Sequence, residues 1–566
     1  MEDTANKFCA TLFDVLLSKG VKDIVCSPGS RNVPLLLAAS AREDMKKHFA
    51  VDERSAGFMA LGLSLVKQNP VAIVCTSGTA LLNYAPAVAE AFYQGIPLIV
   101  ISADRPIQWI DQDDSQTLRQ YGALDNFIKK SYDIPAFGQE LKEMNWYVNR
   151  ISNDAVITAV SGKKGPVHIN VQLSEPLDKT SKFHEVTPRI IEILTSDNFA
   201  NKETYKHLAH KISESKVLLV AGFSQPDARL QKAVVEFSRF GNVAVMAETI
   251  SNIHFNHDAY SIDYTLTAFN NEILDKLAPD VIISFGGALV SRKLKEYLRR
   301  NSGRSQHWSI GYNDNTADPF FSLSIRVETE PFRFLKAISV TLKKMPLNPS
   351  VSNYNLLWKK LRQDAFTLKS PFIEAAPWSE LKAFDYILKS LPSDYNLFLS
   401  NGTPVRYAQL INYNLPHASF CNRGVSGIDG SVSTAVGGAM AYKGKTLLIT
   451  GDLSLSYDIG ALSLLNIPDS FKIIVIDNQG GGIFRFIPST SSLSILEEYL
   501  CQKPVLPLLQ LAEGYGWEYY EASDEESLRD TFQSFLNKSR KAILKITCPG
   551  ALSASVLSDF MKLKYP

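Results

Sequence analysis

Apolar runs alternate with amphipathic stretches along the chain, and this alternation predicts its elements. Between residue 21 and about 173, short runs rich in β-branched residues (DIVCSPGS, PVAIVCTSGT, IPLIVISADRP) alternate with apolar residues at helical spacing, around residues 55–67 and 80–94. Gly and Ser stand where strands end and helices begin, the rhythm of a doubly wound parallel sheet, with GPVHINVQLSEP as its last strand. After the polar stretch DKTSKFHEVTPR the pattern restarts with KVLLVAGF, NVAVMAET, PDVIISFGG, HWSIGYND and SIRVETE, and it closes near MPLNPSVSN. A third series, from about Tyr354, contains NLFLSNG, HASFCNRG, KTLLITGD, FKIIVIDN and KAILKITC. The expected fold is α/β, with three doubly wound parallel-sheet domains at residues 1–185, 190–345 and 354–566.

Two segments invite comparison: VAIVCTSGTALLNYAPAVAEAFYQGIPLIVISADRP and KTLLITGDLSLSYDIGALSLLNIPDSFKIIVIDNQG. Each reads strand, Gly-containing turn, helix, Pro-bearing turn, strand. The first and third domains are therefore expected to share an architecture, against the alternative that any two βαβ units look alike.

Charge narrows the function. Lys plus Arg (59) nearly cancels Asp plus Glu (58), and no long basic run occurs, which argues against a nucleic-acid footprint or a polybasic membrane patch. The six cysteines show no CxxC spacing, which argues against a zinc site or disulfide framework and suits a reducing compartment. The opening MEDTANKFCATLFDVLLSKG has apolar residues at Phe8, Leu12, Val15 and Leu16, the spacing of an amphipathic helix rather than a signal peptide. No apolar run approaches the ~18 residues of a membrane span, so a cytoplasmic location is expected.

Candidate chemistry gathers in the third series. About 25 residues separate Asp452 from Asn478, the length of a helix with its turns, so a right-handed crossover places both at the carboxyl edge of adjacent strands. An Asp carboxylate and an Asn amide oxygen are hard ligands suited to Mg²⁺, and a Gly480 carbonyl would make a third. Gly481 and Gly482 would let a bulky anion approach, and N–H groups after Gly451, with Ser454, would meet phosphate oxygens. The plainer alternative is that Asp452 caps a helix, Asn478 sits in a turn and the glycines shape a loop. In the first series, HFAVDERSAGFMALGLSLV sets Glu53 ahead of Ala56, Ala60, Leu61 and Leu63. It is either a helix N-terminal carboxylate favoured by the macrodipole or a carboxyl in an apolar cleft acting as a proton donor.

Together these residues resemble the thiamine-diphosphate (ThDP) dependent decarboxylases and synthases, over essentially the whole chain. Gly451-Asp452 through Asn478 is similar to that family's cofactor signature, and Glu53 falls where its activating glutamate lies. Two departures stand out: Leu453 replaces the usual glycine, and Asp477 replaces the first of two asparagines. The resemblance implies a pyrimidine-binding first domain, a middle domain and a diphosphate-binding third domain. It implies ThDP with Mg²⁺, or Mn²⁺, held by Asp452, Asn478 and Gly480. Glu53, Ile428, Gly451, Leu453 and Ser454 would contact the cofactor, Glu53 as the one firm proton-transfer group and Ile428 as the apolar prop that bends it.

SPGSRNVPL, HFAVDERSAG, ISADRP, DSQTLRQ and CNRGVSGIDG are similar to the branch of this family in menaquinone biosynthesis that acts on 2-oxoglutarate and isochorismate. Both substrates are dicarboxylates, and Arg suits bidentate carboxylate binding. The resemblance assigns them Ser30, Arg31, Arg105, Gln116, Arg292, Lys293, Arg406 and Arg423, with Ile483, Phe484 and Ile487 as an apolar wall. Arg292-Lys293 reverses the family order. Gly402 stands where a hydroxyl is expected, so either Thr403 substitutes or that contact is absent. A homodimer or homotetramer with sites between paired subunits is also implied. Rival readings are an acetolactate-synthase-like carboligase or a simple 2-oxoacid decarboxylase, which would need fewer arginines. A dinucleotide-dependent dehydrogenase would need GxGxxG and a later acid, which are absent. A silent binding protein that keeps the fold is opposed by Glu53, Asp452 and Asn478 all being present. His168 is expected to be a strand residue outside the chemistry.

Overall fold

In the computed structural model the described residues are 2–136, 141–175, 187–193, 202–254, 262–313, 315–411 and 417–565. Most of the polar stretch expected to precede the second domain, residues 178–189, lies outside them. Continuous apolar runs form the central strands, because a parallel strand covered by helices on both faces is buried on both faces.

The first sheet contains β1 (Asp23–Cys26), β2 (Lys46–Phe49), β3 (Val71–Cys75), β4 (Leu98–Asp104), β5 (Ser131–Ile134) and β6 (Val167–Gln172). The second contains β7 (Val217–Ala221), β8 (Val243–Ala247), β9 (Val281–Phe285), β10 (Gln306–Ile310) and β11 (Leu323–Val327). The third contains β12 (Tyr395–Leu399), β13 (Ala418–Phe420), β14 (Lys445–Gly451), β15 (Phe471–Asp477), β16 (Glu518–Ala522) and β17 (Ala542–Thr547). Their orders are β2-β1-β3-β4-β6-β5, β11-β10-β9-β7-β8 and β13-β12-β14-β15-β17-β16. Counted from its own first strand, the third sheet repeats the order of the first, so the shared architecture expected from the two matched segments is present. The three sheets are parallel, and the α/β fold class is as expected.

The chain divides into two compact units, one of residues 1–195, 424–446 and 457–471, the other of residues 196–423, 447–456 and 472–566. In the first unit the helix Glu53–Lys67 is buried from Ser55 to Leu65 and packs on the helix Ser431–Ala441. Their backbones nearly touch: a Cβ on Gly62 would lie 1.9 Å from the Thr434 carbonyl oxygen, and one on Gly437 would lie 2.0 Å from that of Met59. In the second unit the helix Tyr354–Ala375 packs on middle-domain elements. Trp358 meets the Tyr297 ring edge-on at 6.0 Å, and the Tyr354 hydroxyl donates to the Leu277 carbonyl at 3.0 Å. All six cysteines are free and buried. Among the described residues no helix is long and apolar enough to cross a membrane.

Candidate active site

In the first unit, the expected residues gather beyond the carboxyl ends of β1, β3 and β4, where open α/β sheets bind ligands. Glu53 is half-buried at the start of its helix, with Asn83 Nδ2 3.4 Å from its Oε2. That start is pinned: Asp52 accepts from the Arg54 N–H at 2.9 Å, and the Arg54 guanidinium donates to the Tyr457 carbonyl at 2.8 Å while lying over the Tyr457 ring. Next along, buried Asp458 accepts from the Ser433 N–H at 2.7 Å and hydroxyl at 2.8 Å, fastening the start of the helix Ser431–Ala441. Ile428, 37% exposed, rides on the loop before that helix. The loop is held by Glu90, a buried carboxylate that sequence reading missed, whose oxygens accept from the Gly424 N–H at 2.6 Å and the Val425 N–H at 2.8 Å.

Arg31 is buried at the same edge, where it donates to the Leu173 carbonyl at 3.0 Å and pairs with exposed Glu175 at 2.8 Å. Burial, and also the charge of Arg105, work to lower its pKa. Arg105 pairs with Asp114 at 2.8 Å and donates to the Ser115 carbonyl, Gln116 donates to the Ser77 carbonyl at 3.2 Å, and Ser30 is exposed beside Arg31. Asp111, Asp113 and Gln116 all have positive φ, a cluster of left-handed backbone of the kind found at ligand sites. His168 is buried in β6 against Ser102 at 2.7 Å, and burial takes its pKa down to about 4.

In the second unit, Asp452 and Asn478 lie at the ends of neighbouring strands β14 and β15, as the crossover argument requires. Asp452 Oδ2 accepts from the Gly480 N–H at 2.8 Å and Oδ1 from the Leu453 N–H at 2.8 Å. The Leu453 N–H, expected to face phosphate, is therefore engaged by Asp452. Burial raises the Asp452 pKa to about 6, against those two bonds. Gly480 has φ +81°, which turns its carbonyl in a way a side chain would resist. Asn478 Oδ1 is buried with no partner, an unusual state for an amide oxygen. Among the described residues no three His, Cys, Asp or Glu side chains converge, so a cation here would rely on one carboxylate, one amide and a carbonyl, a sparse set of the kind Mg²⁺ takes. Arg485, also missed, donates to the Asn478 and Gly480 carbonyls at 3.2 and 3.0 Å and pairs with Glu497. A cavity of about 470 Å³ opens beside Asp452, with Asp477, Lys503 and Lys545 on its walls. Ser454 is buried, the Gly451 N–H reaches the Ser400 hydroxyl at 3.3 Å, and Ile483, Phe484 and Ile487 are half-buried on the turns that follow.

The remaining cations do not all converge. Arg292 and Lys293 both pair with Glu296 on their own helix, and Arg292 is 80% exposed. Lys295 is the residue of this helix that shares an electrostatic neighbourhood with Arg406, Arg423 and buried Glu248; burial lowers its pKa, the Glu248 charge opposes this and Arg423 adds to it. Arg406 is held below the usual guanidinium pKa by burial and by Arg423. Arg423 donates to Asn401 Oδ1 at 3.1 Å, and its Nε is buried without a partner. Thr403 is buried beside Gly402 at the start of its helix.

Residues 6–123 match the family described as thiamine pyrophosphate enzyme, N-terminal TPP binding domain. A 2-succinyl-5-enolpyruvyl-6-hydroxy-3-cyclohexene-1-carboxylate (SEPHCHC) synthase of Porphyromonas gingivalis is 40% identical over 560 residues, 98% of this chain and 96% of the relative. The chain belongs to the SEPHCHC synthase family. Members so named in Flavobacterium psychrophilum and Flavobacterium johnsoniae are 36% and 37% identical, each alignment covering 98% of both chains. Glu90, Lys295, Glu380 and Arg485 went unread because each acts through a partner distant in sequence or on a neighbouring turn, with no local motif to mark it.

Proposed function

We propose that this chain is a thiamine-diphosphate enzyme that decarboxylates 2-oxoglutarate and joins the remaining four-carbon unit to isochorismate, giving SEPHCHC and CO₂ in menaquinone biosynthesis. The observation that carries this reading is the likeness to synthases of that name along 98% of the chain. Asp452, Asn478 and the Gly480 carbonyl would hold Mg²⁺ or Mn²⁺, a role that suits the unpartnered Asn478 Oδ1. The cofactor, when bound, supplies the carbon nucleophile and the electron sink for loss of CO₂. The chain's own residues bind, orient and move protons. Glu53 would exchange a proton with the cofactor's pyrimidine ring, and the clasp of Asp52, Arg54 and Tyr457 fixes where it stands. Ile428, on the loop clamped by Glu90, would pack against the cofactor as its apolar prop. Gly451 and Ser454 would lie along its diphosphate, with Leu453, whose N–H is engaged by Asp452, on the same turn.

Arg31 and Arg105, with Ser30 and Gln116, form one anion-binding edge, and Arg406 and Arg423, joined by Lys295, form another. Cation groups of this kind suit dicarboxylate substrates, which a carboligase for small apolar acceptors would not need. Arg292 and Lys293 lie at the margin of the second group, and Ile483, Phe484 and Ile487 would wall the isochorismate ring. Domain limits at 1–185, 190–345 and 354–566, a homodimer or homotetramer with shared sites, and a cytoplasmic location complete the reading.

Mass spectrometry of products from 2-oxoglutarate, ThDP and Mg²⁺, with and without isochorismate, tests it. The expected result is SEPHCHC formed only when isochorismate is present. Release of succinic semialdehyde at a rate indifferent to isochorismate would identify a simple decarboxylase instead.

A further inference from the structure

We propose that Glu380 is a positioning residue that sets the orientation of the Asn478 amide and thereby the affinity of this site for a divalent cation; this rests on the metal reading of Asp452 and Asn478. Glu380 opens the helix Glu380–Ser390 and is 2% exposed. Its N–H donates to the Ser553 hydroxyl at 3.0 Å, and Trp378 Nε1, two residues earlier, donates to the Thr547 carbonyl at the end of β17 at 2.9 Å. The carboxylate is thus built into the wall behind β15. Its Oε1 accepts from Asn478 Nδ2 at 2.9 Å.

A side-chain amide carries an oxygen and a nitrogen of nearly equal size on one carbon, so its two flipped orientations differ only in which atom faces which neighbour. Glu380 Oε1 accepts from Nδ2, and this bond holds the amide in the orientation with Nδ2 inward. The oxygen is left pointing the other way, buried and without a partner. Only that oxygen can ligate a hard cation; a flipped amide would present N–H groups to the same place. Removing the carboxylate frees the flip, and loss of such an outer partner typically weakens metal binding 10–100-fold.

The test is a titration of the full chain with Mn²⁺ in the presence of ThDP, read by the loss of the free Mn²⁺ signal in electron paramagnetic resonance. Glu380→Ala should weaken binding about 10–100-fold. Glu380→Gln, whose amide oxygen can accept the same bond, should recover most of the loss. Native-like Mn²⁺ affinity in folded Glu380→Ala, or Glu380→Gln as weak as Glu380→Ala, would each overturn the proposal. Absence of Mn²⁺ binding by the native chain would instead remove the metal reading on which it rests.

Discussion

The first and third sheets share one strand order, and matching positions in them carry different chemistry. β4 and β15 both run seven residues and both end on aspartate, Asp104 and Asp477. In the first sheet Asn170 of β6 donates to Asp104 at 2.9 Å and, across the other side, to Asp133 of β5 at 2.9 Å. In the third, the position of Asn170 is taken by Lys545 of β17, 3.5 Å from Asp477 and 2.9 Å from Glu521 of β16. The registers coincide, Ser102–Asn170–Asp133 against Val475–Lys545–Glu521. Where the ladder is buried, a neutral amide bridges the two acids and burial pushes the Asp104 pKa up to about 6. Where it opens on the cavity beside Asp452, an ammonium bridges them; burial works against its charge, and Glu521 and Asp477 more than offset this. One topology thus carries two arrangements: the first sheet braces the loop that carries Arg105, whose N–H Asp104 accepts at 2.8 Å, and the third presents charge to a cavity.

The largest expected effect tests this division of labour. Glu53→Gln should lower turnover by roughly 10²–10⁴-fold while leaving Mg²⁺-dependent ThDP binding intact. Asp452→Ala should instead abolish that binding at cofactor levels that saturate the native chain, and fluorescence titration beside the activity assay separates the two. If both variants lost binding alike, the two sheets would not divide the work. Next, Asn170→Leu removes one hydrogen bond from buried Asp104 and one from half-buried Asp133 and should cost about 2–3 kcal/mol. Lys545→Met, at the matching slot, should cost ~1 kcal/mol or less, because a partly exposed ion pair contributes little. Urea unfolding of both variants measures the contrast, and equal losses would break it.

The smallest expected effect is a pH slope. The folded pKa of Asp104 lies above the ordinary carboxylate value, so between about pH 4 and 6 the folded chain holds a proton that the unfolded chain has released. Its contribution to stability is greatest at the acid end of that window, falls as pH rises through it by at most ~1.4 kcal/mol per pH unit, and is flat above it. Asp104→Asn should flatten that part of the melting-temperature profile, and an unchanged profile would refute the assignment.

The central strands were legible because both their faces are buried. VAIVC and FKIIVI could be read as apolar runs. β2 (KKHF), β5 (SYDI) and β16 (EYYEA) were not read, and all three are sheet edges, only partly buried and therefore free to carry polar residues. The site divided the same way. Asp452, Asn478 and Glu53 lie in contiguous motifs fixed by a strand end or a helix start, so spacing alone placed them. Glu380 is 98 residues from Asn478 and Glu90 is 334 from Gly424, and no local pattern encodes such pairings. Lys295 was passed over for Arg292 and Lys293 because sequence order cannot say which side of a helical turn faces other cations.

The contact between the helices Glu53–Lys67 and Ser431–Ala441 is made by main chain at Gly62 and Gly437, so it lacks the compliance that rotatable groups give other joints in the protein. Sliding by a single residue would drive a methyl group into a carbonyl. The two helix starts, one bearing the acid and the other following the Ile428 loop, are therefore indexed to each other like meshed gear teeth.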